Sequence, residues 1–169
     1  MADDPLTPAA IRAARSEDLP ALLDLLPQLR QGATPGVTWE PANLDTAAEV
    51  WGQILSDPRR AFLVAELDGR VVGTADLVIV PNLTHAARSI AYVENVLVDT
   101  ELRGRGIGRA LMAACETRAV EAGCYKLQLL SNRYRDGAHR FYGSLGYEEA
   151  ARGFRRYLDR ASQPGRAAR

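Results

Sequence analysis

The segment Arg103-Gly104-Arg105-Gly106-Ile107-Gly108-Arg109 separates an apolar, β-branched run, Ala91 to Val98, from a stretch with helical periodicity. Cationic side chains in the first turn of a helix oppose the macrodipole, which already leaves partial positive charge and unpaired N–H groups at that end. Three arginines placed there are unfavourable unless an anion arrives. The interleaved glycines let an anion's oxygens approach the backbone amides, so the segment reads as a phosphate cradle joining a strand to a helix. A solvated turn with incidental arginines is the alternative. Other phosphate motifs fail on the same residues. Nothing fits GxxxxGK[ST], and GxGxxG ends on Arg109 when counted from Gly104 and on Leu111 when counted from Gly106.

Around this segment, strand and helix signals alternate without internal repeats. Ala10 to Arg15 reads as a short strand. Ser16, Asp18 and Pro20 then start a helix with leucines at 19, 22, 23, 26 and 29, ended or bent by Pro27. A second helix spans about Leu44 to Leu55, stopped by Asp57-Pro58. Asp68-Gly69 joins the apolar runs Arg60 to Glu66 and Arg70 to Val80, which predicts an antiparallel hairpin. Ser89 to Val98 forms the next strand, and Ile107, Leu111, Ala114, Cys115, Ala119 and Ala122 give a helix closed by Gly123. Cys124 to Leu130 is a further strand, Asp136 to Leu145 a short helix and Tyr147 to Leu158 a last strand. The order β-α-α-β-β-β-α-β-α-β implies an α/β fold with a mixed sheet and helices on its faces. One domain over residues 10–158 is expected, with residues 1–9 and 159–169 as flexible ends.

Composition narrows the partners. Lys plus Arg is 21 and Asp plus Glu is 21 in 169 residues, so no global field favours nucleic acid or an anionic membrane surface. The arginine-rich loop also lacks the interleaved aromatics of a single-strand binder. No apolar run approaches the roughly 20 residues of a membrane span, and MADDPLTPAA has no secretory character, so a cytoplasmic location is expected. Cys115 and Cys124 match no metal or redox spacing and read as small buried hydrophobes. His85 and His139 are read as exposed, and two unpaired histidines do not suggest a metal site.

Arg103 to Gly108 also matches [QR]xxGx[GA], and Ala138-His139-Arg140-Phe141-Tyr142-Gly143-Ser144-Leu145-Gly146-Tyr147 looks like AxxxYxxxGF with Tyr147 in place of Phe. On these two blocks the chain resembles the GCN5-related N-acetyltransferases over roughly residues 10 to 158. The stretch Val93 to Val98 and the block Gly123-Cys124-Tyr125-Lys126 are similar to the glucosamine-6-phosphate N-acetyltransferases of that family. Those enzymes carry Glu-Asp where this chain has Glu94-Asn95, and Asn where it has Ala138, so their substrate is not carried over. The resemblance implies a mostly antiparallel central sheet. It implies that Arg103, Gly104, Arg105, Gly106, Ile107, Gly108 and Arg109 bind the pyrophosphate of acetyl-coenzyme A. It implies too that the strand holding Val96, Leu97 and Val98 splays from the Cys124 strand, exposing backbone groups to the pantetheine arm and acetyl carbonyl. The family's Asn seven positions before the Tyr is Arg135 here, with Asn132 nearby as a substitute contact. Homodimerisation is a family expectation that no sequence feature requires.

Such residues suit attack of a neutral amine on a thioester, in a ternary complex and without a metal. An amine mostly protonated at neutral pH needs a base, the carbonyl needs a donor and the leaving thiolate needs a proton. Glu94 is the base candidate: a carboxylate in an apolar run is costly without a partner, and burial would raise its pKa. A solvent-facing strand residue is the alternative. The family places Tyr142 to protonate the coenzyme A sulfur, although a tyrosine at this spacing also suits a packed helix face. Trp39 and Trp51 either line the acceptor mouth or pack in the core, the latter being favoured. The chain is thus expected to be an N-acetyltransferase acting on a small primary amine. A protein amine and a non-catalytic acyl-CoA-binding regulatory module are the other readings.

Overall fold

Five strands form one mixed sheet in the computed structural model, which describes residues 8–30 and 42–156. They are β1 (Ala10–Ala13), β2 (Arg60–Leu67), β3 (Arg70–Val80), β4 (Ile90–Val98) and β5 (Lys126–Leu129), lying side by side in chain order. The pairs β1/β2, β2/β3 and β3/β4 are antiparallel and β4/β5 is parallel. Asp68 and Gly69 turn between β2 and β3 at φ 50° and 74°. Positive φ at both central residues gives the turn whose twist suits a two-residue hairpin, and an Asp-Gly pair tolerates it.

The helices are α1 (Leu19–Leu25), α2 (Leu44–Ser56), the single turn α3 (Thr84–Ala87), α4 (Ile107–Glu121) and α5 (Asp136–Ser144). The α-helix ends at Leu25, two residues before Pro27. A tighter 3₁₀ coil carries it from Leu26 to Arg30. Asn43 caps α2, its Oδ1 accepting from Asp45 N at 2.8 Å. His85, Ala86 and Ala87 in α3 have φ of 52°, 59° and 58°, so this turn winds left-handed.

Both sheet faces are covered. On one, Leu22 of α1 and Trp51 of α2 bury against Phe62 and Val64, with the Trp51 and Phe62 rings edge to face at 5.0 Å. Trp51 is thus a core residue. Trp39 lies outside the described residues. On the other face α4 buries Ile107, Leu111, Met112, Cys115 and Ala119. Gly73 sits where a Cβ would come within 3.0 Å of Leu97 O and 3.2 Å of Leu111 Cδ1, so its missing side chain admits the helix.

The expected last strand, Tyr147 to Leu158, does not form over residues 147–156, and Tyr157 and Leu158 lie outside the described residues. Glu148-Glu149-Ala150-Ala151-Arg152-Gly153 has no apolar alternation to bury, and residues 148–156 are exposed. The expected flexible ends also lie outside the described residues, apart from Pro8 and Ala9. The chain divides into two units, one of Met1–Gln28 with Asn43–Leu129 and one of Leu29–Ala42 with Leu130–Arg169. The five strands and α4 belong to the first, α5 to the second. No helix among the described residues is long and apolar enough to cross a membrane.

One ion cluster ties β1 to its neighbours. Arg12 bonds both oxygens of buried Asp18, at 2.7 and 2.8 Å, and Glu66 at 2.7 Å. Asp18 also accepts from Arg15 N at 2.7 Å. The bonds from Arg12 hold the Asp18 carboxyl below its ordinary value of 3.8. A carboxyl whose folded pKa is depressed stabilises the fold above its unfolded value, and that stability is lost as pH falls through the folded value. Asp18→Asn is expected to cost about 2 kcal/mol at pH 7, because Arg12 loses its bidentate carboxylate and keeps Glu66 and a neutral amide while remaining partly solvated. Urea unfolding of both proteins from pH 7 to pH 3 checks this. The gap should begin to narrow below about pH 4, and a gap constant across that range would contradict it.

Candidate active site

β4 has the apolar run Ala91-Tyr92-Val93 before Glu94, and it is here that its pairing changes on both edges. Along β3 the register runs Val93↔Leu77 and Glu94↔Asp76, then resumes at Leu97↔Thr74. Asn95 and Val96 therefore stand opposite Ala75 alone, which is a β-bulge. Asn95 takes φ 51°, a left-handed backbone that Asn tolerates better than most residues. Along β5 the last pair is Val93↔Leu129, so no β5 residue pairs with Glu94–Val98. The ladder to β5 thus stops one residue before the bulge on the β3 edge, and Val96, Leu97 and Val98 lie beyond it.

Glu94 is exposed, so the burial expected from its apolar surroundings is not its environment. Val96 and Val98 are half-buried and Leu97 is buried. Behind the bulge lies a polar group that the sequence reading missed. Thr74 Oγ1 donates to Asn95 O at 2.7 Å, and Asn95 Nδ2 donates to Asp76 Oδ2 at 3.4 Å. Asp76 is fully buried and paired with Arg60, whose Nε reaches Asp76 Oδ1 at 2.8 Å and whose Nη2 bonds Oδ2. That bond pushes the Arg60 guanidinium above its usual pKa. The signal was available: Asp76 is a lone carboxylate in the apolar run Arg70–Val80, as Glu94 is in its own strand.

Beyond Val98, Asp99 caps a 3₁₀ turn over Thr100–Leu102, and Arg103 Nε donates to Val98 O at 3.2 Å. Gly104 and Gly106 follow at φ 80° and 81°, with open space where a Cβ would stand. Gly106 is the N-cap of α4. Its carbonyl takes the N–H of Ala110 at 3.0 Å, so the N–H groups of Ile107, Gly108 and Arg109 have no partner within the helix. No side chain caps this end and its first turn holds no acidic residue. Arg103, Arg105 and Arg109 are exposed. An open, uncapped, cationic helix end fits an anionic group such as pyrophosphate.

The second unit carries Asn132, Arg135 and Tyr142. Asn132 Oδ1 accepts from Tyr134 N at 3.2 Å, so this side chain shapes a local turn, while its carbonyl oxygen accepts from Arg135 N at 3.0 Å and lies 2.9 Å from His139 Nε2. Arg135 is the N-cap of α5. Tyr142, on that helix, is half-buried, its ring 5.2 Å from Phe141 and 6.0 Å from Tyr147. His85 and His139 are both exposed. Among the described residues no three His, Cys, Asp or Glu come together as a metal site.

The acetyltransferase (GNAT) family model matches residues 22–147. A glucosamine 6-phosphate N-acetyltransferase of Trypanosoma brucei brucei is 34% identical over 151 residues, 86% of this chain and 92% of that protein. An aminoglycoside N(6')-acetyltransferase type 1 of Stenotrophomonas maltophilia is 31% identical, over 74% of this chain and 79% of its own. The crystal structure of a transcriptional regulator from Bacillus halodurans C-125 superposes with a TM-score of 0.79 at 27% identity, covering 89% of this chain and 99% of the other. The chain belongs to the acetyltransferase (GNAT) family and is an N-acetyltransferase.

Neither cysteine has the environment of a nucleophile. Burial pushes the Cys115 thiol up to about 12 and raises Cys124 as well. A thiol reagent at pH 8 is expected to leave both unmodified on the timescale of an activity assay and to titrate both after denaturation. Rapid modification of Cys115 in the folded protein would contradict the burial argument.

Proposed function

We propose that this N-acetyltransferase moves the acetyl group of acetyl-CoA directly to a primary amine of a small molecule, within a ternary complex. The observation that carries the reading is the place where β4 loses its regular pairing on both edges, followed in the chain by the uncapped helix end of α4. Backbone groups of Val96, Leu97 and Val98 would hold the pantetheine arm and acetyl carbonyl. The amides of the Arg103 to Arg109 loop would hold the pyrophosphate, with its three arginines adding charge, and Asn132 and Arg135 are further coenzyme contacts. Relatives named for glucosamine 6-phosphate and aminoglycosides make amino sugars the first acceptors to test.

In the reaction the amine nitrogen bonds to the acetyl carbon and the carbon–sulfur bond breaks. Glu94, exposed on β4, takes the proton the amine gives up, directly or through water. Tyr142 gives a proton to the departing thiolate. The products are the N-acetyl amine and free coenzyme A, so an amine panel followed by thiol release reports turnover directly. Binding of acetyl-CoA without turnover on any amine would overturn the reading.

Four variants separate the roles. Glu94→Gln keeps the shape and removes the base, so turnover should fall by roughly 10²–10⁴; unchanged turnover across the pH range would return Glu94 to a structural role. Tyr142→Phe should lower turnover on the order of tenfold to a few hundredfold with coenzyme affinity kept, since water partly replaces the phenol. Full activity would make the ring packing alone. Gly106→Val should weaken coenzyme binding more than Arg105→Ala, because a branched Cβ at φ 81° strains the backbone and blocks the amides. Calorimetry showing the arginine change to be the more severe would reverse that ordering.

A further inference from the structure

A buried ion pair is weak evidence for stability, because well-packed apolar residues of similar volume serve as well or better. In the Arg60–Asp76 pair the carboxylate is fully buried and the arginine half-buried, so the pair calls for a role that apolar side chains could not fill. Register places Asp76 and Thr74 on the same face of β3, flanking Ala75, the residue that the bulge stands opposite. Through them the strand reaches two groups of Asn95: Thr74 takes the backbone carbonyl and Asp76 the side-chain amide. Arg60, on the neighbouring β2, bonds both oxygens of Asp76 and fixes its orientation. Thr74 and Asp76 are both fully buried, so water is poorly placed to substitute for either bond.

A left-handed Asn costs on the order of 1 kcal/mol and persists only where its surroundings over-determine it. Here the surroundings are these three side chains. We propose that Thr74, Asp76 and Arg60 are positioning residues that prop the Asn95 bulge, and so set the direction of Glu94 and of the Val96–Val98 backbone. The inference rests on the acetyl-transfer reading given above. It adds residues on β2 and β3 that touch neither substrate. Misplacement of about 1 Å at reacting groups can cost on the order of 10²-fold in rate, so a prop can matter to turnover without contacting it.

Thr74 supplies the discriminating pair of variants. Thr74→Val keeps the volume and deletes the hydroxyl, whereas Thr74→Ser keeps the hydroxyl and deletes a methyl. Both should melt at a lower temperature than the parent. Turnover with acetyl-CoA and the best acceptor should fall about tenfold or more in Thr74→Val and stay within about twofold in Thr74→Ser, with the loss in kcat rather than in acceptor KM. Amide hydrogen exchange at Asn95, Val96 and Leu97 should be faster in Thr74→Val than in Thr74→Ser, with no substrate present. Turnover falling equally in both variants in step with melting temperature, or equal exchange at the three amides, would overturn the prop. An inactive parent protein would refute the functional reading instead, and the exchange comparison would still decide the prop.

Discussion

A backbone N–H or C=O inside a fold is either paired or placed where something else pairs it. β4 meets this constraint in two different ways along its length. From Ile90 to Val93 it is paired on both sides, with β3 and with β5. From Glu94 onward the β5 side is gone, and the β3 side is interrupted by Asn95 and Val96. The change falls within two residues, and the base candidate sits at the junction. The rest of the architecture supports that junction: β2 and β3 carry the polar group behind it, Gly73 admits α4 against β3, and α4 presents its uncapped end beyond β4.

Two clusters of charge do different work in this framework. Arg12, Asp18 and Glu66 join β1 to the start of the helical segment and to β2, at the edge of the sheet, where their contribution is to stability and to its pH dependence. Asp76 lies deeper, fully buried beside the bulge and paired with half-buried Arg60. Arg103, Arg105 and Arg109 are exposed around the start of α4, whose first turn holds no acidic residue, and their cost to the helix is offset when an anion binds.

Elements governed by local chemistry were legible in the sequence. Asp68-Gly69 fixed the hairpin because the turn needs positive φ at both positions, and Gly123, also at positive φ, marked the end of α4. Helical spacing found most of the buried face of α4, although Met112 was missed, and Ala122, which had been expected there, is exposed. What was not legible depends on register. The bulge at Asn95 arises from how β4 meets β3, and no periodicity along one strand contains that. Glu94 was accordingly expected to be buried and is exposed. Asp76 is visible in the sequence as a lone carboxylate, but its pairing with Arg60, 16 residues away, follows only from the register of β2 on β3. The strand expected at Tyr147 to Leu158 has no apolar alternation behind it over 148–153, and residues 147–156 show none.

On the proposed function, Val96, Leu97 and Val98, beyond the last β5 pair of β4, receive the coenzyme together with the end of α4. Titration of the isotopically labelled protein with acetyl-CoA, followed by backbone amide chemical shifts, tests it most directly. The account predicts the largest shifts at Val96, Leu97 and Val98 and at Gly104 through Arg109, saturating together with one affinity. Saturable binding that leaves both segments unshifted, with changes confined to other parts of the chain, would contradict it.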